Sequence, residues 1–335
     1  MPFPVFHRAA PLAALALALL APAAPALAQS ANPDISVIGQ PSARWTDDAA
    51  DPGRKRLRFD PGETEFVFDA ALNPYARGTV VAAMGADEAG IEEAYFTMTR
   101  GLPLGLAIKG GKYRAGFGRL NPLHPHTYPF AERFRTLAEF LPGEEAFNET
   151  GLQVSAQFAL PRDAALTLSA DWLQGDSFRR ERESSAAPND PLELGGDDRA
   201  GEPRGAALGR AAMFVPLAGQ SGLELGFSAS QGTNNVAAGT TTTVLGGDAK
   251  AKWWDSPTSY LVVQAEFLSL DRQDAGWDEA ATTYTATSRR RSGAYLYADY
   301  NFKTRYNAGV SFESWQSDDS GAERNSAFGV FAGWP

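Results

Sequence analysis

The chain of 335 residues has no cysteine, which excludes disulfide staples, thiolate metal ligands and thiol catalysis. It has three histidines. Beyond the first few residues only His124 and His126 remain, so imidazole chemistry is confined to one place. After the N-terminus no stretch approaches the roughly 20 apolar residues that a helix needs to cross a bilayer. Positive charge is not in excess either: the formal net charge of −10 argues against a nucleic-acid partner. There is no G-x-S-x-G, no H-E-x-x-H and no phosphate-cradling glycine loop. A Ser/His pair of phospholipase type would need its base from His124 or His126, and no serine lies in their stretch. These absences point away from an enzyme and away from a bound cofactor.

What the N-terminus does have is a short head from Met1 to Arg8, then an Ala/Leu-rich run from Pro11 to Leu27 ending in Ala26-Leu27-Ala28. This pattern predicts a signal peptide over residues 1–28, cleavage after Ala28, a mature chain from Gln29 and export.

The mature chain is rich in glycine and aromatics and alternates with period two. About fourteen runs follow this template. In Glu63–Leu72, Phe66, Phe68, Ala70 and Leu72 oppose Glu65 and Asp69. In Leu152–Leu160, Leu152, Val154, Ala156 and Phe158 oppose Gln153, Ser155 and Gln157. In Gly293–Phe302, Ala294, Leu296, Ala298 and Tyr300 oppose Tyr295, Tyr297 and Asp299. The links between runs differ in length. Those at 41–62, 116–149, 175–204, 231–243, 271–289 and 316–324 are long and polar; those at 72–74, 101–104, 161–164, 216–221, 255–258 and 303–305 are short. With the intermediate link at 85–90 on the long side, the two kinds alternate, as in up-and-down outer-membrane barrels. A soluble sandwich also alternates apolar and polar faces, but it has no reason to gather its long loops at one end. The expected fold is therefore all-β: one domain over 29–335, an antiparallel up-and-down transmembrane β-barrel. Trp172, Trp253, Trp315, Tyr306 and Trp334 sit near run ends, where interfacial girdles belong.

The longest segment between two clear runs is Gly111–Gly151. Pro122, Pro125 and Pro129 stiffen the path around His124 and His126. Proline suits a first helical turn, and Phe130, Phe134, Leu137 and Leu141 form one helical stripe, so a helix is predicted from Pro129 to the Pro142-Gly143 stop. The 116–149 link is thus expected to be a helix-bearing loop folded into or across the barrel mouth. Lys109, Lys112, Arg114, Arg133 and Arg135 form a basic set around it. They either line a constriction that selects solutes by charge or pair with Glu132, Glu139, Glu144 and Glu145 to hold the loop. The strand polar faces carry both signs, which predicts a water-filled lumen of weak net selectivity. His124 and His126, with Glu144 or Glu145, could hold a metal ion; otherwise they are packing residues of the loop.

The segments NPDISVIG (32–39), EEAYFT (92–97), GKYRAGFGRLNPLHPHTYPFAERF (111–134) and FLPGEEAFNETG (140–151) resemble a group of Gram-negative outer-membrane proteins. These are porin-like β-barrels similar in architecture to phosphate-selective porins, often labelled zinc-regulated TonB-dependent outer membrane receptors. The resemblance implies an outer-membrane location, a lipid surround, insertion by barrel-assembly machinery and homo-oligomeric packing. It implies a channel for small polar or anionic solutes, narrowed by the 116–149 loop, which in general porins follows the fifth strand. The alternatives are a receptor-like protein that binds a metal or metal complex for uptake, and a soluble periplasmic β-protein. Energy-coupled import is not expected, since such transporters carry a plug ahead of about 22 strands. The chain ends GVFAGWP, and a proline removes a ladder donor. The expected parent has sixteen strands and this chain lacks its last two; a closed fourteen-strand barrel is the other option.

Overall fold

The computed structural model describes residues 32–49, 51–85, 89–143, 146–179, 204–236, 238–278, 280–281, 283–318 and 323–334. The expected signal peptide, residues 180–203 of the 175–204 link, Glu144, Glu145 and Pro335 lie outside them.

Among the described residues there are sixteen strands: β1 Asp34–Gly39, β2 Ser42–Arg44, β3 Arg58–Asp60, β4 Thr64–Asn73, β5 Ala76–Met84, β6 Ala89–Met98, β7 Leu106–Arg114, β8 Asn148–Ala159, β9 Ala165–Leu173, β10 Ala206–Pro216, β11 Gly222–Asn235, β12 Thr240–Ser256, β13 Ser259–Asp278, β14 Thr283–Phe302, β15 Tyr306–Gln316 and β16 Arg324–Gly333. Fourteen of them form one antiparallel sheet in chain order, β1 then β4 to β16. The remaining two, β2 and β3, pair as a small hairpin inside the 41–62 link, a segment whose sequence reads only as loop.

Register keeps each face continuous across the sheet. Asp248 stands opposite Glu266, Glu266 opposite Tyr295, and Tyr295 opposite Glu313, so one row crosses β12 to β15. This row is buried. Its neighbours on the other face are apolar and open: Leu296 is 45% exposed and Phe267 53%, whereas Gln264 and Glu266 are each 2% exposed. The same reversal holds on β4, where Glu65 is buried and Phe68 exposed, and on β8 to β12. In a water-soluble sheet the apolar face packs inward and the polar face meets solvent. Here the polar face is inside.

Two links expected as loops are strand instead. β11 and β12 run through 231–243, and β13 and β14 stay in register to the pair Asp278 and Thr283. Gly232, Asn234, Asn235, Asp271, Asp274 and Gly276 give these stretches their loop-like reading, but Thr233, Thr240, Thr241, Thr242, Thr243, Thr283, Thr285 and Thr287 stand among them, and threonine suits strands. The hairpins therefore rise as polar ribbons on the long-link side. Trp172, Trp253, Trp334 and Tyr306 are exposed near strand ends, but Trp315 packs against the buried cluster. Its odd-numbered row on β15 carries Glu313 and faces inward, so it belongs to no outer girdle.

The segment 115–147 follows the fifth strand of the large sheet and lies against its inner face. Its helix, α1, covers only Arg135–Phe140. Phe134 is extended (φ −60°, ψ 134°), so the predicted stripe is broken. Phe134 stacks on Tyr295 at 4.3 Å, while Phe130 packs edge-on to Tyr297 and Phe331. Two separate niches in the wall outweigh helical periodicity here, and a six-residue helix has little stability of its own. The loop touches both early and late strands: His124 meets Glu65 on β4, Thr136 meets Glu313 on β15, and Phe130 meets Phe331 on β16. A single segment can do so only if the sheet curls round it. Among the described residues β1 and β16 do not pair with each other.

Candidate functional site: the inner loop and its anchors

The loop is closed at its neck by Asn121, which is 1% exposed. Its Nδ2 donates to the carbonyls of Ala115 and Phe147 (2.8 and 3.0 Å), and its Oδ1 accepts from Phe147 N (3.0 Å). Three hydrogen bonds from one buried side chain tie the outgoing and returning ends together. Phe117, Leu120, Leu137, Phe140 and Phe147 are almost wholly buried around this neck. Phe117 lies over Gly246 of β12, where a Cβ would come within 2.6 Å of its ring. Thr136 and Phe140 sit in the same way on Gly293 of β14. Sequence reading gave these wall glycines no role, because their partners are remote in the chain.

One anchor joins the loop to β11–β13. Arg119 places Nη2 2.7 Å from Glu224 Oε2 and Nη1 4.0 Å from Asp248 Oδ1. Asp248 also receives both guanidinium nitrogens of Arg210, at 2.6 and 3.0 Å. The backbone N–H of Gly118 donates to Ser228 Oγ at 3.1 Å, and that of Arg119 to Glu266 Oε2 at 3.4 Å. Charges of both signs are thereby balanced on the inner wall. Arg119 was absent from the predicted basic set; its only sequence signal is the flexible Gly116-Phe117-Gly118 that precedes it.

A second anchor holds α1. Glu313 Oε2 accepts from the N and Oγ1 of Thr136 (3.0 and 3.2 Å), and Arg291 Nη1 lies 3.3 Å from Glu139 Oε2. Beside it opens a cavity of about 610 Å³ lined by Glu139, Phe140, Phe178, Arg272 and Arg291 among others.

The third anchor is the His124–His126 turn. Pro125 starts a single 3₁₀ turn over Pro125–Thr127, and Thr127 Oγ1 donates to the His124 carbonyl at 2.7 Å. The two rings lie 5.6 Å apart, tilted by 30°. Three carboxylates from the wall meet them. Glu65 comes from the inner face of β4. Glu92 and Glu93 are consecutive and would normally face opposite ways. Glu93 pairs with Val81 and Ile91 with Ala82, which leaves Glu92 as an extra, unpaired residue. This β-bulge turns both side chains to the loop. His124 Nδ1 is 3.2 Å from Glu65 Oε2 and 3.2 Å from Glu92 Oε2, and Nε2 is 3.0 Å from Glu93 Oε2. His126 Nδ1 is 3.4 Å from Glu65 Oε1. Burial pulls the His124 pKa down, but contact with Glu65, Glu92 and Glu93 outweighs it and pushes the pKa up to about 11.

The remaining candidates scatter. Lys109 is on the inner face with Nζ over the rings of Tyr95 and Tyr113, at 4.2 and 5.0 Å. Arg114 is buried and pairs with Glu92 at 3.2 Å. Arg133 is half-buried, 3.5 Å from Asn121 Oδ1. Lys112 is exposed and donates to the Ile91 carbonyl; Arg135 and Glu132 are exposed too. The basic set therefore makes no single ring. Arg114, the last residue of β7, pairs with Glu92 of β6, and Glu139 of the loop pairs with Arg291 on the wall. Glu144 and Glu145, expected beside the histidines, lie outside the described residues; among the described residues Glu65, Glu92 and Glu93 stand there.

No family model matches the chain. Over 270 residues, 76% of its length, it is 27% identical to an uncharacterized protein of Aquifex aeolicus (strain VF5), covering 54% of that protein. The chain thus spans about half the length of the curated relative it matches. Among solved structures it is similar to in-vitro folded OmpT, an outer membrane protein of Vibrio cholerae (TM-score 0.44, 10% identity, 90% of this chain and 96% of that one). It is also similar to the outer membrane channel DcaP of Acinetobacter baumannii (TM-score 0.39, 11% identity, 90% and 96%). Likenesses at this level decide nothing about chemistry. The zinc-regulated, TonB-dependent label implied by sequence resemblance gains no support from them.

Proposed function

We propose that the chain forms an outer-membrane β-barrel of porin type. It passes small polar solutes, anions among them, through a lumen that loop 115–147 narrows. The observation that carries this reading is the inverted sheet: Glu65, Asp248, Gln264, Glu266 and Glu313 are buried on the inner face, while Phe227, Phe267, Leu296 and Phe312 are exposed on the outer. Lipid is the solvent that favours such an arrangement. A soluble periplasmic β-protein would leave that outer face in water, at roughly 25 cal/mol per Å² of apolar surface. With Arg119, Arg210 and Lys250 set against Glu224, Asp248 and Glu266, the lumen carries both signs and selects weakly by charge. The receptor-like alternative is favoured by one feature, the histidine–carboxylate anchor.

The test is planar-bilayer recording of the purified chain together with heat-modifiable migration on gels. Discrete conductance steps without any partner protein support the channel. A chain that migrates identically before and after boiling and never enters detergent would end this reading.

A further inference from the structure

The anchor at His124 and His126 has a ligand geometry that loop fastening alone does not require. Among the described residues, Glu65 is 1% exposed, accepts a hydrogen bond from Gln40 Nε2 on Oε1 (3.2 Å), and has no lysine or arginine within 4 Å. Glu65 Oε2, His124 Nδ1 and His126 Nδ1 are buried and make no hydrogen bond. One ligand atom from each of Glu65, His124 and His126 can be chosen so that all lie within 4.8 Å of one another. A buried carboxylate oxygen and two buried ring nitrogens that make no hydrogen bond are costly unless something binds there. Ligands bound at about 2.1 Å to a tetrahedral ion are about 3.4 Å apart. Glu65 Oε2 lies 3.2 Å from His124 Nδ1 and Glu65 Oε1 3.4 Å from His126 Nδ1, and Glu92 Oε2 lies 3.2 Å from the same His124 nitrogen. His124 meanwhile presents its other nitrogen to Glu93, the carboxylate support that fixes the tautomer of a metal-binding imidazole.

We propose that Glu65, Glu92, His124 and His126 bind one divalent first-row transition-metal ion, with Glu93 as the positioning residue behind His124. Two imidazoles with two carboxylates suit such ions better than magnesium or calcium, which take oxygen ligands. The ligands come from β4, the β6 bulge and the loop, so the ion also fastens the loop to the wall. This site goes beyond the channel reading and does not depend on it.

The experiment uses the full chain folded in detergent, with its fold checked by heat-modifiable migration. Cobalt(II) is titrated by visible absorption and zinc by calorimetry. One ion per chain is expected, and His124→Gln or His126→Gln should weaken binding at least tenfold. Glu93→Gln leaves the ligands in place and should weaken it about 10- to 100-fold. Glu139→Gln, at the other anchor, should leave it unchanged. No stoichiometric binding by the folded wild-type chain, or equal binding by the folded histidine variants, overturns the proposal. Conductance is recorded separately, so loss of one reading leaves the other standing.

Discussion

At the scale of single residues, the sharpest contrast is between two neighbours on β12. Gly246 faces inward, and a side chain there would meet the ring of Phe117; an added Cβ at Gly247 has nothing within 4 Å. Gly246→Val should therefore lift the loop and cost about 1–3 kcal/mol through overpacking. Gly247→Val should stay within about 0.5 kcal/mol. Chemical unfolding in detergent checks both, and equal costs would mean that Phe117 does not seat on the wall. Period-two alternation identifies which face Gly246 shares with Asp248, but not the ring that covers it, because that ring comes from a distant loop. Glu92 hides for a related reason. Strict alternation turns it away from Glu93, and only the bulge at Ile91–Glu93 brings the two carboxylates together. His124 and His126 stand out as the only histidines after His7, yet their main partner, Glu65, is invisible without the fold.

At the scale of elements, the strands were the most legible part of the sequence and the loop the least. Strand faces are set locally, by the strict alternation of side chains along each strand. The end of a strand is not, and so β11 to β14 run on through polar residues that read as loops. Loop 115–147 takes its shape from the niches it fills. The stripe Phe130, Phe134, Leu137 and Leu141 has helical spacing, but Phe134 is extended and stacks on Tyr295, so the helix starts only at Arg135. Phe134→Ala removes that contact and should cost about 3–5 kcal/mol. The loss should fall on the loop, since the strand ladder does not depend on this ring and local openings can occur below the global limit. Limited proteolysis should then cut within 115–147 while the heat-modifiable shift of the barrel persists, and single-channel conductance should rise. A loop still resistant to protease would place its stability in the Arg119 and Asn121 contacts instead.

At the scale of the whole molecule, the question is what the outer face touches. Leu296 stands in mid-strand on β14, level with Ala265 and Phe312 on its neighbours. All three belong to the apolar face. Trp253 is on the same kind of face, but close to the end of β12 at Ser256. If the sheet spans a bilayer, an arginine at the two positions has different costs: about 2–4 kcal/mol near the midplane and about 0–1 near an interface. Leu296→Arg should therefore lower the yield of heat-modifiable protein folded into lipid vesicles, while Trp253→Arg should fold nearly as well as the parent. In water the order has no reason to hold, because an exposed arginine is as well solvated in mid-strand as at a strand end. Equal yields for the two variants would mean that depth has no meaning on this surface. The inward polar row of Asp248, Glu266, Tyr295 and Glu313 would then need a cause other than lipid on the opposite side.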